Sequence, residues 1–403
     1  MKILFLTQIV PYPPDSGPKV KTYHVLRYLA EQGHQVTLAS FVRAHEKPAL
    51  EHLAQFCAAI QPVALQRSRV YDLRAYVAGL QTGLPFLITR DDFPAMRARI
   101  AQLASEPFDI IHADQLNMAQ YALQFRRARN ARAKLVFDAH NAVYEIVARA
   151  RQTAPFFARP ILALEARRLE QYEGGIVSQF DQTLAVSEID RRALISAAGR
   201  DAPIAVIPIA VDCAQLPPVA RAAASQNILT VSTLFYPPNA DGVRWFLREV
   251  LPRVRAQMPN ATVAVVGPRP PRDLVELGAR DPDHIHVPGY VPDLQPSFAR
   301  AALMVVPVRA GSGMRVRILE ALARGMPIVT TTTGVEGIDA INGEHLLVAD
   351  ESAQFADAVV RLLKNPSEGE RLARNGRRLV EEKYDWQVAL PKLQAVYQSL
   401  CGA

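Results

Sequence analysis

The sequence predicts an α/β protein of two doubly wound, Rossmann-like units, each a parallel sheet covered by helices. Three observations predict it. Apolar runs of strand length alternate with amphipathic stretches of helix length along nearly the whole chain, the pattern of βαβ units. The alternation stops once, at CAQLPPVARAAASQN (213–227), where adjacent prolines and small residues read as a linker, and then restarts. With 403 residues and 49% apolar content, the chain can fill two or three domains of ~100–200 residues, each with a sizeable core.

The elements follow in order. KILFLTQ is a continuous apolar run, as expected of a strand buried on both faces. A proline-rich loop carrying Gly17 leads into VKTYHVLRYLAEQGH, apolar at helical spacing and stopped by Gly33. QVTLASF is the next strand. Residues 43–105 read as mostly helical. FDIIHAD is a strand ending at His112, and AKLVFDAH a strand ending at His140. LEARRLEQYEGGIVSQF is a helix with a Gly-Gly interruption. DQTLAVS and APIAVIPIAVD are two more strands.

After the linker, ILTVST is a strand and ADGVRWFLREVLPRVRAQMP a helix. ATVAVVGPRPP, HIHVPGYV, ALMVVPV, PIVTTT and EHLLVAD supply further strands, with a helix over 313–324 and another at SAQFADAVVRLLKN. DWQVALPKLQAVYQSL is helical and follows the apparent end of the second sheet. These readings place a first unit at 1–212, a linker at 213–226, a second unit at 227–384 and a terminal helix at 385–403.

The net charge of +7 and the pI near 9.4 favour acidic partners such as phosphorylated ligands or an anionic membrane surface. The arginines are dispersed and no nucleic-acid-binding motif is present, so nucleic acid is not expected as a partner. Cys57, Cys213 and Cys401 are far apart and form no CxxC pair, which points away from a zinc site or disulfide framework and towards a reducing cytoplasm. The first apolar run stops at Pro11, too short for a signal peptide.

In open α/β sheets, ligands bind beyond the carboxyl ends of the strands. The stretch PVRAGSGMRVRILEALARGMPIVTT (307–331) places a glycine loop there, followed by a helix. With 100° per residue from Gly313, Val316, Leu319, Leu322 and Ala323 form one apolar arc, and Arg315 projects into it. A cation so placed needs an anion, and the helix N-terminus beside it is an anion site. A phosphate or a carboxylate on a neighbouring helix would each meet the need. Glu320 lies outside the arc, four residues before Arg324, as in an ordinary helical ion pair. His140 follows a strand and heads the loop NAVYE. Asp138 shares its strand face, and His112 ends the neighbouring strand. No metal-ligand cluster, GxSxG elbow or Walker loop is evident.

These motifs resemble the family 4 glycosyltransferases of the GT-B fold over nearly the whole chain. The resemblance is carried by PYPPDSGPKVKTYHVLRYLAEQGHQVTL, FDAHNAVYE, LAVSEIDRRAL, VIPIAVD, YPPNADGVRWF and above all GSGMRVRILEALARGMPIVTTTTGVEG. The opening stretch is most similar to sugar transferases of bacterial exopolysaccharide clusters. The resemblance implies two Rossmann-like domains facing across a cleft. The first would bind the acceptor and the second a nucleotide-diphosphate sugar, with the terminal helix crossing back to the first. It also implies transfer with retention of configuration, no bound metal and no cofactor beyond the donor substrate.

Residue by residue, the resemblance gives Glu320 the role of the second glutamate of the E-x7-E motif, on the donor ribose. Arg315 would contact the diphosphate together with the loop Gly311, Ser312, Gly313 and Met314. Gly17 would let the backbone approach the donor. His140 would sit near the reactive carbon of the sugar, with His112, Asp138 and Asn141 as acceptor-side candidates. The chain departs from the family where Ser312 replaces the first glutamate and Ser232 replaces a glycine. The usual basic pair is absent from STLFYPPNADG, where Asn239 is the remaining polar candidate. The acceptor would be a glycan or a lipid-linked glycan. Arg67, Arg69, Arg74, Arg97 and Arg99 would favour peripheral contact with anionic lipid at the inner membrane face. Another GT-B enzyme, such as an epimerase or phosphorylase, and a catalytically silent partner subunit are the alternatives.

Overall fold

The structure, a computed structural model, describes all residues except 66, 129–131, 223–224 and 403. The chain divides into two compact units, Met1–Ala210 with Ala389–Ala403, and Val211–Val388.

The first unit is built on seven parallel strands: β1 (Lys2–Thr7), β2 (Gln35–Val42), β3 (Ala59–Ala64), β4 (Ile110–Asp114), β5 (Lys134–Ala139), β6 (Gln182–Ala185) and β7 (Ile204–Val206). Their order across the sheet is β3-β2-β1-β4-β5-β6-β7, so the winding reverses between β1 and β4. β1 is buried from Ile3 to Thr7, as its uninterrupted apolar run requires. Helix Gly17–Glu31 begins with Pro18 in its first turn, where a missing N–H costs nothing. Its end is set by Gly33, whose φ of 74° suits the left-handed stop.

Four expectations are corrected here. Residues 43–105 include a strand, β3; Pro62 hides it from a pattern search and is tolerated because β3 is the sheet edge. β4 runs past His112 to Asp114. The Gly-Gly pair does not interrupt helix Arg159–Gln179. Gly174 is a packing residue: a Cβ there would lie 2.0 Å from the Ala197 carbonyl oxygen of the neighbouring helix Glu188–Ala198. The strand expected over 202–212 is confined to the three residues of β7.

The second unit has six parallel strands: β8 (Asn227–Val231), β9 (Thr262–Val266), β10 (Ile285–Gly289), β11 (Leu303–Val306), β12 (Ile328–Thr330) and β13 (Leu347–Val348). Their order is β10-β9-β8-β11-β12-β13, with the reversal between β8 and β11. The helical stretch from Pro237 to Gln257 contains a π turn over Phe246–Val250. Pro252 lacks the N–H that would continue the α ladder, and Leu251 N donates five residues back to Phe246 O. Residues 211–222 are tied to this unit: Val211 bridges Asp385, Val219 N donates to Arg324 O and Ala222 N to Ala299 O.

Helix Pro391–Cys401 belongs to the first unit, where Tyr397 is fully buried and Gln394 Oε1 lies 2.7 Å from His34 Nε2. All three cysteines are free. Among the described residues no helix is long and apolar enough to cross a membrane.

Candidate functional site

Each winding reversal marks the place where loops part and a ligand enters. In the first unit, the register aligns Thr7 with Asp114 and Asp114 with Asp138, so three polar side chains share one sheet face at the carboxyl ends of β1, β4 and β5. His112 and Phe5 occupy the row beneath, their rings stacked with centroids 4.3 Å apart.

Asp114 is the hub. Its Oδ1 lies 2.7 Å from His140 Nε2, and its Oδ2 accepts from the hydroxyls of Thr7 (2.8 Å) and Thr22 (2.9 Å). Asp138 is paired with Lys21, which enters from helix Gly17–Glu31, and its Oδ2 lies 3.4 Å from His112 Nε2. Burial pushes the Asp138 carboxyl upward, but Lys21 and then His112 outweigh it and hold the group well below the carboxylate range. His112 Nδ1 lies 2.6 Å from the Tyr397 hydroxyl. Burial, reinforced by Asp138 and Asp114, keeps that phenol neutral far above its ordinary range.

The loop carrying His140 is clamped. Ala142 N donates to Asp190 Oδ1 at 3.2 Å, and Val143 N and Tyr144 N donate to Glu173 at 2.9 and 3.1 Å. Glu173 is fully buried, and burial pushes its carboxyl up to about 8 although those two N–H groups pull it down. Asn141, between His140 and this clamp, is half-buried.

His140, Asp138 and His112 are thus brought together, but His140 pairs with Asp114, not with its own strand neighbour Asp138. His112, Asp114 and Asp138 also place potential ligand atoms within 4.8 Å of one another, a cluster the sequence spacing did not reveal. The cluster does not fit a metal ion. Lys21 already supplies the cation at Asp138, and both Asp114 oxygens are engaged.

Lys21 and Asp114 were missed from the sequence. Lys21 had a signal: with Val25 and Leu29 it repeats every four residues on the buried helix face, where a lysine needs a carboxylate. Gly17 is the first residue of that helix and is half-buried.

In the second unit, the loop after β11 leads to helix Val316–Ala323. Gly311 and Gly313 have φ of 109° and 88°, a region closed to most side chains. The helix starts at Val316, not Gly313, and Arg315 is its N-cap. The side chain of Arg315 therefore does not enter the apolar arc. It folds back over the loop, and Nη1 donates to the carbonyls of Ser312 (2.7 Å) and Gly313. Val316, Leu319, Leu322 and Ala323 are buried as expected, and so is Met314. Glu320 is paired with Arg317 at 2.5 Å, one turn back, while Arg324 donates to Gln295.

Ser232, directly after β8, is held by its N–H on Val266 O, and its hydroxyl is buried without a hydrogen-bond partner among the described residues. Asn239 lies inside a helix, its amide donating to Thr233 O at 3.2 Å. Arg269 follows β9 in a left-handed conformation (φ 50°), its guanidinium 3.7 Å from the Phe235 ring centroid. It is a further cation at this end of the sheet that the sequence motifs did not single out.

Residues 16–215 match the family described as Glycosyltransferase Family 4, and residues 225–365 that described as Glycosyl transferases group 1. An uncharacterized 44.6 kDa protein in the cps region of Klebsiella pneumoniae is 23% identical over 397 residues, 95% of this chain and 96% of its own. The MMP alpha-(1->4)-mannosyltransferase of Mycolicibacterium hassiacum is 24% identical over 403 aligned residues, 95% of this chain and 94% of its own. The crystal structure of Anabaena Alr3699/HepE in complex with UDP covers 99% of this chain and 100% of its own with TM-score 0.73 at 16% identity. Sucrose-phosphate synthase from Thermosynechococcus elongatus matches with TM-score 0.73 at 18% identity, covering both chains completely. Likenesses at these identities bear on the fold: two parallel sheets with flanking helices, the GT-B arrangement.

Proposed function

We propose that this chain, which belongs to the family 4 glycosyltransferases, moves the sugar of a uridine diphosphate donor to a hydroxyl of a glycan or lipid-linked glycan with retention of configuration. It is an enzyme of sugar transfer in glycan biosynthesis. The observation that carries the finer reading is the loop Gly311–Arg315: two left-handed glycines and a capping arginine at the winding reversal of the second sheet.

The loop amides and the helix N-terminus offer donors to a diphosphate, and Arg315 can exchange its two carbonyl partners for phosphate oxygens. These groups would stabilise the charge that builds on the leaving nucleotide. Ser232 offers a hydroxyl beside the same reversal. Glu320 would accept from the ribose hydroxyls, in exchange with Arg317. In the reaction the acceptor oxygen bonds to the anomeric carbon, the bond from that carbon to the phosphate oxygen breaks, and the acceptor proton passes to the departing phosphate. The choice of uridine rests on Anabaena HepE, solved with UDP and with UDP-glucose.

A thermal-shift screen with UDP, GDP, ADP and TDP tests the nucleotide. Stabilisation by UDP above the others is expected, and none by any would overturn the donor reading. Anomeric configuration of the product, read by NMR, tests retention. Release of an epimerised sugar from donor alone would favour an epimerase instead.

We further propose peripheral contact with an anionic bilayer. Helix Arg69–Thr82 buries only Ala75 and Gly79 and turns Val70, Leu73, Val77 and Leu80 outward at spacings of three and four. Phe156, Phe157, Ile161 and Leu164 are exposed as well. Of the arginines expected to meet lipid, Arg67 and Arg97 are paired with Asp91 and Asp92, and Arg99 donates to Gln61. Apolar insertion would then dominate over charge. Co-sedimentation with phosphatidylglycerol vesicles should persist at high salt and weaken in Leu73→Asp/Leu80→Asp. No binding at low salt would end this reading.

A further inference from the structure

We propose that Arg269, carried on the ring of Phe235, is a second cation for the diphosphate of the donor. The proposal rests on the donor reading of the second unit and uses residues of that unit alone.

A sugar nucleotide brings a negative charge on each phosphate. In the loop Gly311–Arg315 the one full positive charge is that of Arg315, and the next arginine, Arg317, is engaged by Glu320. The loop after β8, STLFYPPNADG (232–242), contains no lysine or arginine. The loop after β9 does: VGPRPP (266–271) carries Arg269 between Pro268 and Pro270.

Three features bring Arg269 towards the winding reversal. β8 lies between β9 and β11, so Phe235 stands between Arg269 and the glycine loop, and β9 and β11 are two strand spacings or about 10 Å apart. Gly267 lets the ends of β8 and β9 press together, since a Cβ there would lie 1.8 Å from Ser232 O. Arg269 holds a left-handed φ of 50°; apart from Gln115 it is the one described non-glycine residue with a positive φ. Strain of this kind is kept where a side chain is needed in one place.

The guanidinium, 3.7 Å from the Phe235 ring centroid, is thereby drawn from the end of β9 onto the loop after β8. So close to a ring it meets the π system with its face, and the N–H groups in its plane stay available. Among the described residues Arg269 makes no hydrogen bond and no ion pair, and both it and Phe235 are exposed. A planar fork of N–H groups matches two oxygens of a phosphate. Phe235 is a positioning residue that acts through this arginine.

The test is equilibrium titration of the whole protein with UDP, UMP and uridine. If the wild type prefers GDP, ADP or TDP, that nucleotide series takes their place. Arg269→Asn removes the charge and suits the left-handed backbone, which asparagine tolerates. Its Kd for UDP should rise about 10–100-fold, the order of a charge-assisted hydrogen bond, with uridine changed less than about 2-fold. Arg269→Lys should recover part of the loss, as a point charge without the fork. Phe235→Leu should weaken UDP less than Arg269→Asn does, and Phe235→Leu/Arg269→Asn should match Arg269→Asn alone. Arg309, which is exposed before the glycine loop and lies 5.2 Å from the Trp245 ring, is the comparison, and Arg309→Gln should bind UDP as the wild type does.

An unchanged Kd for UDP in Arg269→Asn would overturn the proposal. So would equal losses for UDP and uridine, which would put the arginine on the base, or a loss in Arg309→Gln in its stead. Failure of the wild type to bind any of the four diphosphates would defeat the donor reading itself and this proposal with it.

Discussion

At the carboxyl ends of β1, β4 and β5, Lys21, Asp114, Asp138 and His140 are each more than nine-tenths buried, Lys21 forming an ion pair with Asp138 and His140 lying within hydrogen-bond distance of Asp114. At the carboxyl ends of β8 and β11, Arg315 and Glu320 are half-buried, and the arginine rests on carbonyls of its own loop. Desolvated pairs resist rearrangement, because breaking one strands a charge out of water. A half-buried arginine on two carbonyls gives them up at small cost, since water can replace it. The first arrangement suits groups that must hold still, the second suits groups that change partners, as the proposed diphosphate contact requires.

This contrast predicts how substitutions divide between stability and turnover. The largest effect is expected from Lys21→Met, which leaves Asp138 buried and unpaired. Urea unfolding should show a loss of about 3–5 kcal/mol, much of it recovered in Lys21→Met/Asp138→Leu. A loss below about 1 kcal/mol would erase the distinction. Next is Arg315→Ala, expected to lower kcat by about 10²–10³ while leaving the unfolding midpoint nearly unchanged. A folding defect as large as that of Lys21→Met would show that the two sites are built alike.

Gly311→Ala follows. The residue sits at φ 109°, and a Cβ would meet Arg315 Nη2 at 3.1 Å, so about 1–2 kcal/mol of stability should be lost along with donor affinity. The smallest stability effect is expected from Glu320→Gln: a KM for donor raised about 10-fold with a stability change within about 0.5 kcal/mol, since its present partner is a surface-type helical pair.

Glu173 sharpens the comparison through pH. Its carboxyl is raised from 4.5 to about 8 in the folded protein, chiefly by burial. The folded state therefore binds the proton more tightly, and the associated stability is full below the unfolded value and fades as pH rises through about 8. Thermal midpoints should fall as pH rises from about 4.5 to about 8 and level off above it, and Glu173→Gln should flatten that fall. The Asp138 carboxyl, held low, acts in the opposite sense: its contribution is present above the ordinary carboxylate value of 3.8 and disappears as acid protonates it.

The alternation of strands and helices was legible because each buried strand is an apolar run with no competing signal. β3 was not, because Pro62 breaks its pattern and its edge position relaxes the need for burial. The glycine loop was legible through its motif, whereas spacing pointed Glu320 to Arg324 and the structure pairs it with Arg317. The exact seat of Arg315 was not, because the start of the helix moved by three residues and turned a first-turn residue into a cap. His140, His112 and Asp138 could be picked out as polar residues at strand ends. Asp114 hid at the end of an apolar run, although it stands two residues beyond His112 and therefore on the same face. That Tyr397 would reach His112 across 285 positions of sequence left no local trace at all.

That last contact has a consequence for biosynthesis. Tyr397 leaves the ribosome only after every residue of Val211–Val388 has been made. Until then His112 lacks its phenol partner. The first unit, although translated first, is thus completed only by residues made after the whole of the second.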